Sequence, residues 1–239
     1  MHQPHLQTLS LTLSQRIRPH EIPRWRGAFL EMIGWEEALF HNHQNKDIKG
    51  QQVFSSQTLE KAKTIHQYPL IQYYEKSGRG TIIGINEGVQ ALLKIIDEKE
   101  LQIKWNGRQE NLKIVRVEKG THEFKILDQP RQYRLYKWMA LTQKNHTLWK
   151  KANSLEVRIH LLNKLLVNHL IGVLKQFKWR WPAGSLQAQL DLLHRMDSIR
   201  HKNIPLEIFD VSFSTNIALP DGLAIGKGVS HGYGIIRAN

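Results

Sequence analysis

Phe40-His41-Asn42-His43 holds the two side chains best suited to chemistry. Imidazole titrates near neutral pH, so one histidine can take a proton while another gives one. On an RNA phosphodiester, such a pair would draw the proton from a ribose 2′-OH and protonate the departing 5′-oxygen. No metal is needed for that reaction. A cation stabilises the crowded phosphorane, and Lys46 and Lys49 follow closely. Histidines at i and i+2 share a face only on extended backbone; on a helix they diverge by about 200°. A helix opening at Ile22 should end by Gly34, which leaves the pair to an extended loop. An HxH pair can also begin a metal site. The usual hydrolase continuation is missing here, because Gln44, Asn45 and Lys46 follow. The letters H-N-H match the HNH nucleases in spelling only. Solvated loop histidines are the plain alternative in a chain with 13 of them. His20 and His66 are weaker candidates, and His160 and His169 fall on a long helix as surface or packing positions.

A polyanionic partner fits the charge. The chain carries 34 Lys and Arg against 21 Asp and Glu, a formal charge of +13. Residues 1–100 hold 12 basic and 11 acidic side chains, and residues 101–239 hold 22 and 10. A field concentrated in one half suits RNA, DNA or a membrane surface. Within it, Trp138, Trp149, Trp179 and Trp181 lie among Lys137, Lys150, Lys151, Lys178 and Arg180. Cations beside aromatics can track a phosphate backbone and stack bases. Core packing of the tryptophans is the competing explanation. The absence of cysteine excludes disulfides, thiolate metal sites and a cysteine nucleophile. No apolar run reaches the roughly 18 residues of a membrane span, and no signal peptide is visible. A soluble cytoplasmic protein without cofactor or membrane partner is the expectation.

Five of the 16 glycines fall in GLAIGKGVSHGYG: Gly222, Gly226, Gly228, Gly232 and Gly234. Lys227 and His231 lie inside the run. Exposed amides beside a cation can cradle phosphate, so Gly226, Lys227, Gly228, His231 and Gly232 are candidate RNA contacts. A tight hairpin between two closing strands is the structural alternative. The segment fits neither the Walker loop nor the dinucleotide fingerprint, because Gly228 follows Lys227 and the spacing is GxGxxxG.

The elements that must position these residues are legible in outline. Leu9, Leu11 and Leu13 alternate with Thr8, Ser10 and Thr12, as in a half-buried strand. Ile22, Trp25, Phe29, Met32 and Ile33 recur at helical spacing, with Pro23 in the first turn. Residues 68–74 (YPLIQYY) and 81–85 (TIIGI) form a hairpin, and Val89, Leu92, Leu93 and Ile96 a second helix. Polar text at 98–109 marks the division, giving units 1–103 and 104–239. In the second, 112–117 and 133–141 read as strands. A helix capped by Ser154 runs to about Lys175, and a shorter one covers 185–196. Residues 205–213, 222–225 and 234–237 close the chain as strands. The expected fold is α+β: two ferredoxin-like β-α-β-β-α-β units with antiparallel sheets.

A Gly-x-Gly segment following two such units resembles that of the CRISPR-associated repeat-processing endoribonucleases of the RAMP group. RIRPHEIPRWRGAF, LFHNH, YPLIQY and GTIIGINEGVQALL are similar to one branch of that family. The family's loop usually carries a hydrophobic residue where Lys227 stands, and a longer basic insert. The resemblance implies a catalytic histidine in or after the first helix, which points to His41 or His43. It implies metal-independent cutting of precursor crRNA at CRISPR repeats, leaving a 2′,3′-cyclic phosphate and a 5′-OH. Repeat RNA and other CRISPR effector subunits are the implied partners, for a monomer or homodimer. A non-cleaving RNA-binding subunit of a CRISPR ribonucleoprotein is the alternative.

Overall fold

Leu9, Leu11 and Leu13 lie on β1 (His5–Arg16) and are almost wholly buried. The expected half-buried strand is buried on both faces, since Thr8, Ser10 and Thr12 are also covered. The reason is its central place: β1 pairs antiparallel with β5 from Thr8↔Ile85 to Thr12↔Thr81. Across the polar face, Thr81 Oγ1 donates to Thr12 Oγ1 at 3.3 Å. The computed structural model describes residues 5–33, 38–41, 43–47, 62–64, 68–97, 101–201 and 204–239. At 38, 41, 43–47, 62–64, 200, 201 and 204 only the backbone is described.

The first unit comprises Leu6–Thr121 together with Ser230–Gly232. After β1 come α1 (Ile22–Ile33), α2 (Ala38–His41), β2 (His43–Asp47), β3 (Ala62–Thr64), β4 (Ile71–Lys76) and β5 (Arg79–Ile85). Then follow α3 (Glu87–Ile96), β6 (Leu101–Trp105), β7 (Arg108–Leu112) and β8 (Ile114–Glu123). The sheet order β4-β5-β1-β8 is that of a ferredoxin-like unit, with the hairpins β2–β3 and β6–β7 inserted. Helix α1 forms as its spacing predicts, burying Ile22, Trp25, Phe29 and Leu30. Its indole comes so close to β5 that a Cβ on Gly80 would lie 2.6 Å from Trp25 Cε2. The expected hairpin is present, turning through Ser77 and Gly78 at φ 54° and 76°.

Residues 98–109, where the sequence reading sets the division, hold much of the second hairpin. Leu101, Ile103 and Trp105 alternate into the first unit's core, and Asn106-Gly107 turns with φ 51° and 79°. The chain therefore passes between units at Thr121/His122, not at 103/104.

The second unit comprises His122–Val229 and Tyr233–Asn239, with His5. Its elements are β9 (Ile126–Trp138), α4 (Gln143–Lys151), α5 (Leu155–Gln176), β10 (Ala188–His201), β11 (Ile204–Ile217) and β12 (Ile235–Ala238). The order β10-β11-β9-β12 repeats the ferredoxin-like arrangement. Where that arrangement has its second helix, 218–234 holds the glycine segment and one 3-10 turn, Val229–His231. Ser154 caps α5 as expected, accepting from Val157 N at 3.2 Å. Though α5 is long and apolar enough to cross a membrane, it buries Leu162, Leu166, Leu170 and Leu174 within the unit. The helix expected at 185–196 is β10. Register shifts at Leu190/Leu192 and Leu193/Arg195 break its alternation, so its apolar residues fall at helix-like intervals. The strand expected at 222–225 is reduced to one bridge, Ala224↔Ile235. Helix α4, absent from the sequence reading, is capped by Thr142.

Candidate functional site

Arg26 is the hub of the first unit's site. On α1 it follows Trp25 and precedes Phe29, both fully buried, so its guanidinium runs along the edge of the core. Nη2 donates to the Phe40 carbonyl at 3.2 Å, and Nη1 lies 3.4 Å from His231 Nε2. The guanidinium also stands over the Tyr73 ring, 5.6 Å from its centroid. A guanidinium can only donate, so His231 Nε2 accepts from it and the ring proton sits on Nδ1. Nδ1 is 3.2 Å from Ser230 Oγ. Among the described residues, Arg26 Nε and Tyr73 Oη are buried without hydrogen-bond partners. Burial lowers the Arg26 pKa, partly opposed by Tyr73, and raises that of the Tyr73 hydroxyl. The site thus has a desolvated cation bonded to a carbonyl and an imidazole, an arrangement that would welcome an anion.

The carbonyl held by Arg26 immediately precedes His41. Phe40 is buried against Phe29, with ring centroids 6.2 Å apart, which anchors the single turn of α2. His41 ends that turn and His43 opens β2, where it pairs with Thr64. The two histidines are therefore not on one extended loop, and the shared-face expectation does not apply to them. Lys46 lies within β2; the side chains of His41, His43 and Lys46 fall outside the described residues, as do Lys49 and His66. His20 is exposed in a turn. One site residue was missed: Arg26 was legible only as a cation set between the buried positions of an amphipathic helix.

The glycine segment divides its contacts between the units' own cores. In the second unit Gly226 has φ 92°, and an added Cβ would lie 2.8 Å from Trp138 Cδ1. Lys227 is exposed and its amide donates to the Met139 carbonyl at 3.2 Å. Gly228 packs by Met139 and Tyr233. In the first unit, a Cβ on Gly232 would meet Ile22 Cδ1 at 2.6 Å. The structure brings His231 to Arg26 and seats the glycines against protein.

Trp138 also donates its indole N–H to His169 Nδ1 at 3.1 Å. Burial, followed by the Lys227 charge, pushes the His169 pKa down to about 4, so the ring is a neutral acceptor at pH 7. His160 is exposed on α5, as expected. Lys150 and Lys151 end α4, and Lys178 and Arg180 follow α5; all four are exposed. The tryptophans between them serve the core. Trp138, Trp149 and Trp179 are buried, and Trp181 alone is half-covered, 5.6 Å from Trp179. Among the described residues, no three His, Asp or Glu side chains gather as a metal site would need.

Two family domains match the chain end to end. The Cas6b N-terminal domain matches residues 4–123 and the Cas6b C-terminal domain residues 125–239. Among solved structures, a crystal structure of Cas6b superposes with TM-score 0.80 at 24% identity, covering 98% of this chain and 100% of that one. A CRISPR RNA processing endoribonuclease Cas6b matches at TM-score 0.68 and 20% identity, covering 98% and 100%. Csf5, a type IV Cas6 crRNA endonuclease, matches at TM-score 0.58 and 15% identity over the full length of both chains. No curated protein matches in sequence.

Proposed function

The chain belongs to the Cas6b family of CRISPR RNA-processing endoribonucleases, and from that membership we propose that it binds CRISPR repeat RNA and cuts precursor transcripts into guide RNAs without a metal. One imidazole of the His41/His43 pair takes the 2′-OH proton. The 2′-oxygen attacks the adjacent phosphorus, the bond to the 5′-oxygen breaks, and the other imidazole protonates the leaving oxygen. The products are a 2′,3′-cyclic phosphate and a 5′-OH. Arg26 or Lys46 supplies positive charge to the phosphorane. The observation that carries this reading is Arg26, which holds the carbonyl preceding His41 and the glycine segment's His231 with one half-buried cation. The exposed Lys150, Lys151, Lys178 and Arg180 supply phosphate contacts that position the transcript. A cytoplasmic protein, monomeric or homodimeric and serving a CRISPR effector complex, completes the proposal.

Repeat RNA incubated with pure protein and chelator tests it. A single 2′-deoxy substitution upstream of the cut should abolish cleavage and spare binding. His41→Ala or His43→Ala should lower the rate by about 10² to 10⁴ with binding intact. Cutting of the deoxy substrate at the same bond, or inhibition by chelator, would overturn the mechanism. A shifted but uncut wild-type complex would assign the chain to the non-cleaving role.

A further inference from the structure

We propose that the second unit carries a pocket for a single extruded guanine base, with Glu207 as the residue that reads it. The proposal rests on the RNA-binding role above. A cavity of about 400 Å³ opens between the end of β9, the start of α4 and the start of β11. That volume lies within the range of small-ligand pockets, about 300–1,000 Å³. Met139, Leu141 and Leu206 give it apolar walls, and His146, Glu207 and Lys227 give it polar groups. His146 Nε2 lies 2.9 Å from Glu207 Oε1 and 2.8 Å from Oε2. A carboxylate can only accept, so Nε2 carries the proton in this pair.

Oε1 makes the hydrogen bond; Oε2, ion-paired with the same nitrogen at 2.8 Å, is buried and accepts no hydrogen bond among the described residues. A buried acceptor without a donor is an expensive arrangement unless a ligand supplies one. The carboxylate also stands in the half of the chain that holds 22 basic and 10 acidic residues. A phosphate would be drawn to that half yet repelled by Glu207, so what enters the cavity is the uncharged base. The exposed Lys227 at its margin suits the phosphate of the same nucleotide.

The base is chosen by its edge. Guanine presents N1–H and the N2 amino group side by side, two donors for an acceptor-only carboxylate. Adenine and cytosine present one amino donor beside a ring acceptor, and uracil sets its one N–H between two carbonyls. Each of those three would turn a lone pair toward Glu207. Single-stranded RNA is read in this way, through unstacked bases bonded on their Watson–Crick edges.

Fluorescence anisotropy of the full-length protein with labelled uridine 12-mers tests the pocket. The oligomers carry one central guanosine, inosine, adenosine, cytidine or no substitution. The guanosine oligomer should bind about tenfold tighter than the uridine parent. Inosine, which lacks the N2 amino group, should fall between them. Glu207→Gln should remove the preference and leave affinity for the parent unchanged. Equal affinities of the wild-type protein for all five would overturn the pocket while upholding RNA binding. The inosine comparison uses only wild-type protein and so decides the matter even if the variant fails to fold. Failure of every oligomer to bind at low salt would overturn the RNA-binding role, and the pocket with it.

Discussion

Gly226→Ala, set against Gly184→Ala, tests whether the glycine segment is shaped by the protein's own packing. Both glycines lie in the second unit with positive φ, 92° and 77°. Placing an L-residue in such backbone costs about 1–2 kcal/mol. At Gly184 nothing lies within 4 Å of an added Cβ, so the backbone contribution stands alone. At Gly226 the same atom meets Trp138 Cδ1 and Nε1 at 2.8 Å and the Met139 carbonyl at 3.0 Å. The indole cannot swing freely, because its N–H is bonded to His169. Overpacking of this kind adds about 1–3 kcal/mol. With roughly 2–4 °C of melting temperature per kcal/mol at this chain length, Gly226→Ala should depress the midpoint by about twice as much as Gly184→Ala or more. Thermal unfolding followed by tryptophan fluorescence reads both shifts. Equal depressions would refute the packing argument. A stable Gly226→Ala that had lost RNA binding would show that the glycine serves the RNA.

Four further outcomes are expected. Replacing Lys150, Lys151, Lys178 and Arg180 together with Ala should weaken binding to related and unrelated RNAs alike; a salt titration should give a shallower slope, and an unchanged slope would place the RNA elsewhere. Arg26→Met should lower cleavage by roughly 10²-fold with RNA affinity kept; an unchanged rate in a single-turnover assay would remove Arg26 from the site. His169, whose pKa falls to about 4 in the fold, binds its proton more readily when unfolded. Its stabilising contribution is present above about pH 6.5 and is lost as pH falls toward 4. His169→Gln keeps an acceptor for Trp138 and should flatten that part of the stability–pH curve, whereas an unchanged curve would refute the assignment. Gly80→Ala should destabilise the first unit, because its Cβ would overlap the buried Trp25 ring; hydrogen exchange on β5 reports it, and unchanged protection would show that the indole can move aside.

Local order in the sequence carried most of the first unit. The alternation of Leu9, Leu11 and Leu13 and the 3–4 spacing from Ile22 to Phe29 each depend on a few neighbouring residues. The second unit was less legible where alternation is broken. Two register shifts gave β10 the spacing of a helix, and the alternation of Leu101, Ile103 and Trp105 was hidden in polar text. The site divides the same way. The His41/His43 pair is visible from residue type alone, but its backbone was not: one extended loop is the expectation, and buried Phe40 instead draws its neighbour into a helical turn. Arg26 meets His231 across 205 residues of sequence, and His146 meets Glu207 across 61. No local pattern records either contact; both depend on which strands and helices become neighbours.

Ser230–Gly232 belong to the first unit, although the rest of that unit ends at Thr121. During synthesis the two parts leave the ribosome about 110 residues apart, roughly 5–20 s at cellular rates of elongation. For that interval Ile22 lacks the glycine backbone that covers it, and Arg26 lacks the imidazole it holds. Assembly of the first unit's site therefore waits for the second unit to be made, and a nascent chain halted midway would carry the His41/His43 pair without its partner. Translation itself keeps the Arg26–His231 contact from forming until residues 230–232 have emerged.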